Sequence, residues 1–379
     1  MNEILSKCVQ VSSDPYTFLD QWKKQNKKKI ICCYPMYIPE EIIHAAGMLP
    51  VIAWRGNEPV TLGHSHIPPY NCGLTRSFID DLVREKLGFF DGIVIHRLCL
   101  QAQGLPFIIE QNIRMPYLEF LSLPALFEGP AVRDFLIQEL ERFKAGLEKY
   151  GGQKITDSAL KNSIRIYNRN RQLLNKLYEI RRQKPGIITA REMMAVIQTS
   201  MLMPKEDNNQ LLEGLIAYLE KKEYKSDLSK LRVILTGSLC QTPHLGILDL
   251  IEEQGMEVVD DDLYVGSRYF ANEVKEDGNP IESLADRYMS HTPPCPTKAD
   301  HEHNWATYVI EMAERNKAQG VISLLVRYCP PHLCYYPDIK TLFEERGIPE
   351  LMIEVEHEIV SLEQVKTRVQ SFKEILGGI

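Results

Sequence analysis

Cysteine is the residue type whose position in this chain suggests chemistry most directly. A thiolate is both a nucleophile and a ligand for soft metals. Three of the nine cysteines stand where turns are expected. Cys72 precedes Gly73, and Cys99 and Cys329 each follow an apolar run that is typical of a strand. Because a free cysteine is more often a small buried apolar residue than a ligand, position has to decide between the two interpretations.

Three thiolates that meet in space would suit an iron–sulfur cluster, whose ligands need no particular spacing in sequence. A helix that follows Cys72 could also direct backbone N–H groups at an anionic cluster. Zinc is the competing metal, but structural zinc sites usually contain Cys-x-x-Cys pairs, and this sequence has none. The residues alone leave buried thiols, zinc and a cluster open, and they favour the cluster over zinc.

Two similar series of strand and helix patterns surround these cysteines. In the first half the patterns predict a strand, a helix ended by Gly47, and two further strands, at 29–34, 40–46, 50–54 and 91–95. In the second half they predict a strand, a helix ended by Gly255, a strand and an apolar run leading to Cys329, at 231–236, 245–253, 257–259 and 319–326. This alternation predicts parallel sheets with crossover helices, and the carboxyl ends of such strands are where ligands bind.

The segment between the two series has long helical patterns, at 159–182 and 192–203, with breaks at Pro185 and Pro204. The predicted fold is therefore an α/β protein with two Rossmann-like lobes, each with a parallel sheet, joined by a helical segment. The predicted division is an N-terminal lobe at 1–150, a helical linker at 151–229 and a C-terminal lobe at 230–379.

Composition excludes several classes of protein. With 44% hydrophobic and 25% charged residues, the chain has the composition of an ordinary folded protein. A net charge of −7 does not favour nucleic-acid binding. No apolar stretch reaches the roughly 18 to 20 residues that span a membrane, and the first residues lack a signal-peptide core. We therefore expect a cytoplasmic protein, in which a disulfide framework is not expected.

Several segments resemble the benzoyl-CoA reductase / 2-hydroxyacyl-CoA dehydratase family. They are the surroundings of the three cysteines and the stretches Tyr37–Pro50 and Asp260–Phe270, within a resemblance that runs from Asp14 to Phe372. The resemblance implies that Cys72, Cys99 and Cys329 ligate a [4Fe-4S] cluster in a two-lobed subunit that pairs with a similar subunit. Leu100 departs from the family pattern, in which aspartate is frequent at this position.

Within that family, three stretches look most like the smaller cluster-bearing subunit of ATP-dependent benzoyl-CoA reductase: Lys154–Asp157, Arg165–Arg171 and Gly237–Pro243. The implied function is to pass low-potential electrons from an ATP-hydrolysing activator for reductive dearomatisation of an aromatic acyl-CoA, bound at or near the paralogous partner subunit. The alternatives are the β-subunit of an (R)-2-hydroxyacyl-CoA dehydratase, which is a radical lyase, and a non-catalytic iron–sulfur protein. Because the sequence has neither a Gly-x-x-x-x-Gly-Lys-Ser/Thr loop nor a Gly-x-Gly-x-x-Gly fingerprint, we expect ATP to be hydrolysed on another protein.

Other residues with possible chemistry receive structural interpretations. His44 is expected to be hydrogen-bonded within the fold, and His332 is the histidine expected to contact the cluster surroundings. The acidic run 260–262 predicts a strand-end turn with capping carboxylates rather than a cation site. Cys240 is expected to lie near the cluster without ligating it, and Cys295 to lie in a proline-rich loop. No catalytic residue is assigned.

Overall fold

A computed structural model describes residues 3–53, 56, 58–238, 240, 243–290, 293–298, 300, 303–357 and 361–378. Trp54, at the end of the second predicted strand, lies outside the described residues. So do Leu239, Gln241 and Thr242 of the stretch Gly237–Pro243.

The first sheet contains four parallel strands in the order β2-β1-β3-β4. Their bounds are β1 Ile30–Tyr34, β2 Leu49–Ile52, β3 Gly92–His96 and β4 Leu118–Leu121. The central strands β1 and β3 are buried along their whole length. Such continuous apolar runs are typical of a parallel sheet that is covered on both faces.

The second sheet repeats this topology, with four parallel strands in the order β6-β5-β7-β8. Their bounds are β5 Leu231–Gly237, β6 Met256–Asp261, β7 Gly320–Val326 and β8 Glu350–Val355. The strands therefore occur in the same spatial order in both halves of the chain. The predicted α/β fold with two related parallel sheets is confirmed, although β4 and β8 were not anticipated.

Helices cover the sheets and connect them. In the first half they are α1 Glu3–Ser13, α2 Pro15–Asn26, α3 Glu40–Ala45, a 3-10 helix Leu62–Ser65, α4 Gly73–Val83 and α5 Leu100–Asn112. Between the sheets they are α6 Val132–Gly151, α7 Asp157–Gln183, α8 Ala190–Leu202 and α9 Lys205–Lys221. In the second half they are α10 Leu245–Glu253, α11 Ser267–Phe270, α12 Pro280–Tyr288, α13 Trp305–Arg315, α14 Pro330–Glu345 and α15 Leu362–Gly377.

Local sequence signals explain where the connecting helices begin. Thr156 caps α7 by accepting a hydrogen bond from the Ala159 N–H, and Thr189 forms a capping box with Glu192 at the start of α8. Helix α7 packs against α3 on one side and against β6 and α11 on the other. Since the main apolar core also runs through residues of both sheets and of α6 to α9, the helical segment joins the two halves by packing as well as by chain connection.

Candidate functional site

Each of the three predicted ligand cysteines occupies the N-cap position of a helix. Cys72 directly precedes α4, Cys99 directly precedes α5, and Cys329 directly precedes α14. We refer to these three residues as the cap cysteines. A helix N-terminus carries a partial positive charge and unpaired N–H groups, so each helix favours an anionic sulfur at its cap. Helix α14 begins with Pro330 and Pro331, which have no N–H, so the backbone N–H that acts on the Cys329 sulfur is that of His332.

The three cap cysteines line one cavity, together with Cys240. Cys72 and Cys99 come from the first half of the chain, and Cys329 and Cys240 come from the second. The remaining wall is largely apolar and includes Leu74, Leu98 and Val326 alongside polar residues. The described residues that line it are Tyr34, Pro35, Cys72, Leu74, Thr75, Leu98, Cys99, Gln101, Ala102, Ser238, Cys240, Thr297, Val326, Cys329, Pro330, Pro331 and His332. We call this space the cysteine cavity.

Burial opposes ionisation of all three cap cysteines. Burial raises the pKa of Cys72, and the Thr75 hydroxyl, 3.1 Å from the sulfur, opposes that rise. Burial also raises the pKa of Cys99, against nearby backbone N–H groups that lower it. Burial and the neighbouring Cys72 together raise the pKa of Cys329 to about 12.

Cys240 shows most clearly that the four sulfurs act on one another. Burial raises its pKa well above the usual value, and the charges of Cys329, Cys99 and Cys72 raise it further, in that order. Several thiolates in one apolar cavity repel each other unless a positive centre compensates them. The donor set therefore fits a thiolate-ligated cluster.

No three His, Cys, Asp or Glu side chains of the described ranges are placed to share a single metal ion. In a cubane cluster each thiolate binds a different iron, so the sulfurs surround a space instead of one point. The thiols of the cysteine cavity likewise line one space.

Gln101 connects the segments that carry all three cap cysteines. It lies two residues after Cys99, and its Oε1 accepts a hydrogen bond of 2.8 Å from the backbone N–H of Cys72. Its Nε2 donates a hydrogen bond of 2.6 Å to the carbonyl of Tyr328, which precedes Cys329. The sequence analysis missed this residue, because a glutamine in the first turn of a helix has no local signal for two long-range hydrogen bonds.

The two halves of the chain approach each other closely beside Cys72. A Cβ atom placed on Gly73 would lie 2.6 Å from His357 Cβ, so glycine is required for this packing. The His357 ring contacts the carbonyl of Glu58 through Nε2 at 2.7 Å. Arg76 forms an ion pair with Glu356 across the same boundary.

Three histidines, His332, His44 and His96, have different surroundings. His332 Nδ1 lies 3.4 Å from Cys329 Sγ, and burial lowers the pKa of His332 to about 3, so its ring is neutral at physiological pH. The predicted contact of His332 with the cluster surroundings is thus present at a cap cysteine. His44 instead contacts Ser163 and Glu206, which confirms that it is hydrogen-bonded within the fold. His96 is buried and faces the carbonyl of Met36 at 3.0 Å.

The acidic run 260–262 closes a strand, as predicted, but it also forms ion pairs. Asp261 accepts a hydrogen bond of 2.9 Å from the Ser267 N–H, a capping contact at the start of α11. Asp260 and Asp261 also pair with arginines of α7, and Asp262 pairs with Arg268. No local pattern indicated the α7 partners, which lie far away in the chain. Cys295 lies between Pro294 and Pro296 as expected, yet it is buried.

A family model described as 2-hydroxyglutaryl-CoA dehydratase, D-component, matches residues 35–376, a segment that contains all four thiols of the cysteine cavity. The chain belongs to this family. The resemblance identified from the sequence is confirmed. Among the described residues of this D-component family member, no helix combines the length and apolar character needed to cross a bilayer.

Curated relatives of this D-component family member belong to two kinds of enzyme. One of the benzoyl-CoA reductase subunits of Thauera aromatica is 28% identical over 375 residues, which cover 98% of this chain and 97% of that protein. The (R)-phenyllactyl-CoA dehydratase beta subunit of Clostridium sporogenes is 29% identical over 370 residues, covering 97% and 96%. The (R)-2-hydroxyglutaryl-CoA dehydratase beta subunit of Acidaminococcus fermentans is 27% identical, covering 99% and 100%.

Proposed function

We propose that this chain holds a [4Fe-4S] cluster through Cys72, Cys99 and Cys329 and transfers low-potential electrons within an enzyme that acts on CoA thioesters. One observation carries the proposal: three cysteines from the two halves of the chain, each at a helix N-terminus, line a single largely apolar cavity. When bound, a [4Fe-4S] cluster supplies one-electron chemistry that can be tuned to a very low potential.

The residues of the chain would set the properties of such a cluster. The apolar wall limits access of water, and the three helix N-termini stabilise negative charge. Gln101 fixes the distance between the cysteine segments of the two halves. The neutral His332 offers an additional contact to the Cys329 sulfur.

The preferred assignment is the smaller iron–sulfur subunit of a benzoyl-CoA reductase-type oxidoreductase. It rests on the stretches Lys154–Asp157, Arg165–Arg171 and Gly237–Pro243, and it agrees with the full-length similarity to a benzoyl-CoA reductase subunit. In this assignment the partners are a paralogous iron–sulfur subunit, which holds or adjoins the aromatic acyl-CoA, and an ATP-hydrolysing activator that donates electrons.

The second candidate is the β-subunit of an (R)-2-hydroxyacyl-CoA dehydratase. It is supported by dehydratase beta subunits that are 27% to 29% identical over nearly the whole chain, as similar as the reductase subunit. Both candidates use the same cavity and require the same kinds of partner. They differ in the fate of the electron, which a reductase consumes and a dehydratase recycles.

Anaerobic purification followed by metal and sulfide analysis tests the site. About four iron and four sulfide per chain are expected, and stoichiometric zinc without iron would contradict the proposal. Assays with the partner subunit and the activator then separate the two enzymes. A reductase needs electrons in proportion to benzoyl-CoA consumed, whereas a dehydratase turns over many hydroxyacyl-CoA molecules after a catalytic amount of electrons. Omission of the activator is the control in both assays.

A further inference from the structure

A second cavity lies where the two halves of the chain meet the helical segment. Its walls come from α3, from α7 and the start of α9, from the β6–α11 region, from α12 and from the loop that contains Lys298. Lys298 follows Thr297, which lines the cysteine cavity, so the two cavities are neighbours. We call this space the tyrosine cavity because five tyrosines line it: Tyr37, Tyr167, Tyr264, Tyr269 and Tyr288.

Cationic side chains outnumber carboxylates in this wall. The cations are Arg171, Lys205, Arg268, Arg287 and Lys298, and the carboxylates are Glu40 and Glu41. Three of the cations are neutralised. Arg171 pairs with Glu41, Lys205 lies 3.5 Å from Glu40, and Arg268 is hydrogen-bonded at 2.8 Å to Asp262, behind the wall.

The other two cations, Arg287 and Lys298, form no ion pair with a carboxylate of the described residues. Arg287 donates only to the backbone carbonyls of Asn272 and Ala271, at 2.8 and 3.2 Å. Lys298 Nζ donates to the carbonyl of Tyr288 at 3.2 Å. Burial lowers the pKa of Lys298 to about 8, against an opposing effect of Cys295. Burial together with Arg171 lowers the pKa of Arg287 to about 10, against an opposing effect of Glu41. An anion in the cavity would stabilise both charged forms.

Two buried polar atoms of this wall also have no hydrogen-bond partner among the described residues. They are Tyr37 Oη and Arg268 Nη1, which belong to side chains that face each other without a hydrogen bond of regular geometry. Arg268 is only 6% exposed, so Nη1 cannot be satisfied by bulk water. An unpaired buried donor is costly, and its persistence points to a ligand that accepts its hydrogen bond.

We propose that the tyrosine cavity binds a carboxylate. The two oxygens of a carboxylate would accept hydrogen bonds from Tyr37 Oη and Arg268 Nη1, and Arg287 and Lys298 would balance its charge. Lys298 Nζ also lies over the rings of Tyr37, Tyr288 and Phe127, at 4.4, 4.2 and 4.8 Å from their centroids, so aromatic rings surround this charge at the wall of the cavity. This site is separate from the cysteine cavity and does not depend on the proposed cluster.

Calorimetric titration of the full chain with benzoate, benzamide and inorganic phosphate tests the site. Benzamide has nearly the shape of benzoate without its charge, so benzoate should bind at least roughly tenfold more tightly. Iron content measured on the same samples shows whether binding is independent of the cluster. Absence of saturable benzoate binding, or equal binding of benzoate and benzamide, would overturn the proposal. Tighter binding of phosphate would overturn the carboxylate assignment.

Two variants locate the binding site. Tyr37→Phe removes a buried hydroxyl that has no hydrogen bond of regular geometry within the described part of the chain and that faces Arg268 and Cys295. Thermal stability should therefore change little, while benzoate affinity should fall roughly tenfold or more. Arg287→Gln should weaken benzoate binding similarly. The matched control is Arg169→Gln, because Arg169 is an exposed arginine of α7 that pairs with Glu213. Unchanged benzoate affinity in Tyr37→Phe would refute the assignment, even if Arg287→Gln failed to fold.

Discussion

The packing of Gly73 against His357 predicts how firmly the two halves would hold the proposed cluster. In Gly73→Ala the new Cβ would lie 2.6 Å from His357 Cβ and 3.1 Å from its Cα and N atoms. Since backbone atoms are among these contacts, rotation of a side chain cannot relieve the overlap. The two halves must therefore move apart next to Cys72, while α4 itself still tolerates alanine.

The size of the effect follows from two opposing contributions. Overpacking costs about 1–3 kcal/mol, and replacing glycine by alanine in a helix recovers about 0.5–1 kcal/mol. A net cost of about 1–2 kcal/mol lowers the ratio of closed to open molecules roughly 5- to 30-fold. Cluster retention should fall accordingly, because Cys72 and Cys329 lie on opposite sides of this contact.

Iron release to a chelator under anaerobic conditions measures this effect, with the thermal stability of the same samples recorded alongside. Gly104→Ala is the matched control, since Gly104 lies in α5 behind another cap cysteine and a Cβ there meets nothing within 4 Å. That variant should release iron at the wild-type rate and be as stable or more stable. If Gly73→Ala releases iron no faster than Gly104→Ala, closure at this contact does not control the site.

Four further predictions concern the cysteine cavity. Replacing any one of the three cap cysteines by alanine should abolish stoichiometric iron, whereas Cys240→Ala should retain about four iron per chain with a changed electron paramagnetic resonance spectrum. Gln101→Met keeps the side-chain length but loses both hydrogen bonds, so anaerobic iron release should accelerate roughly tenfold, at about 1–2 kcal/mol for the lost pair. In the cluster-free, reduced protein the folded-state pKa of Cys329 is raised from 9.0 to about 12. The stability that comes from its protonated thiol is therefore complete below pH 9 and is lost as the pH rises to about 12. Urea titrations should show this loss of stability, and Cys329→Ala should make it smaller. His332→Ala removes a contact to the Cys329 sulfur that would stabilise the extra negative charge of the reduced cluster. The midpoint potential of the proposed cluster should therefore fall by about 20–60 mV in a spectroscopic redox titration. An unchanged potential would show that this contact does not tune the cluster.

Local patterns were sufficient to predict the framework and the positions of the cap cysteines. Apolar runs such as 91–95 and 319–326 lie in buried central strands, because a covered parallel sheet requires continuous apolar sequence. Contacts between distant segments could not be predicted in this way. Gln101 reaches Tyr328 across 227 positions, and Arg171 pairs with Glu41 across 130. The tyrosine cavity escaped prediction for the same reason, since its charges come from separate parts of the chain.

The repeated topology explains why the proposed ligands come from both halves. Strand β3 leads to Cys99 and α5, and β7 leads to Cys329 and α14, and both strands occupy the same place in their sheets. Each half therefore offers an equivalent helix N-terminus with a cysteine cap, and Cys72 adds a third from α4. Because these ends meet only when the halves are packed together, binding of the proposed cluster and closure of the two halves would be one equilibrium. Contacts such as Arg76 with Glu356 would then act on the proposed cluster without touching it.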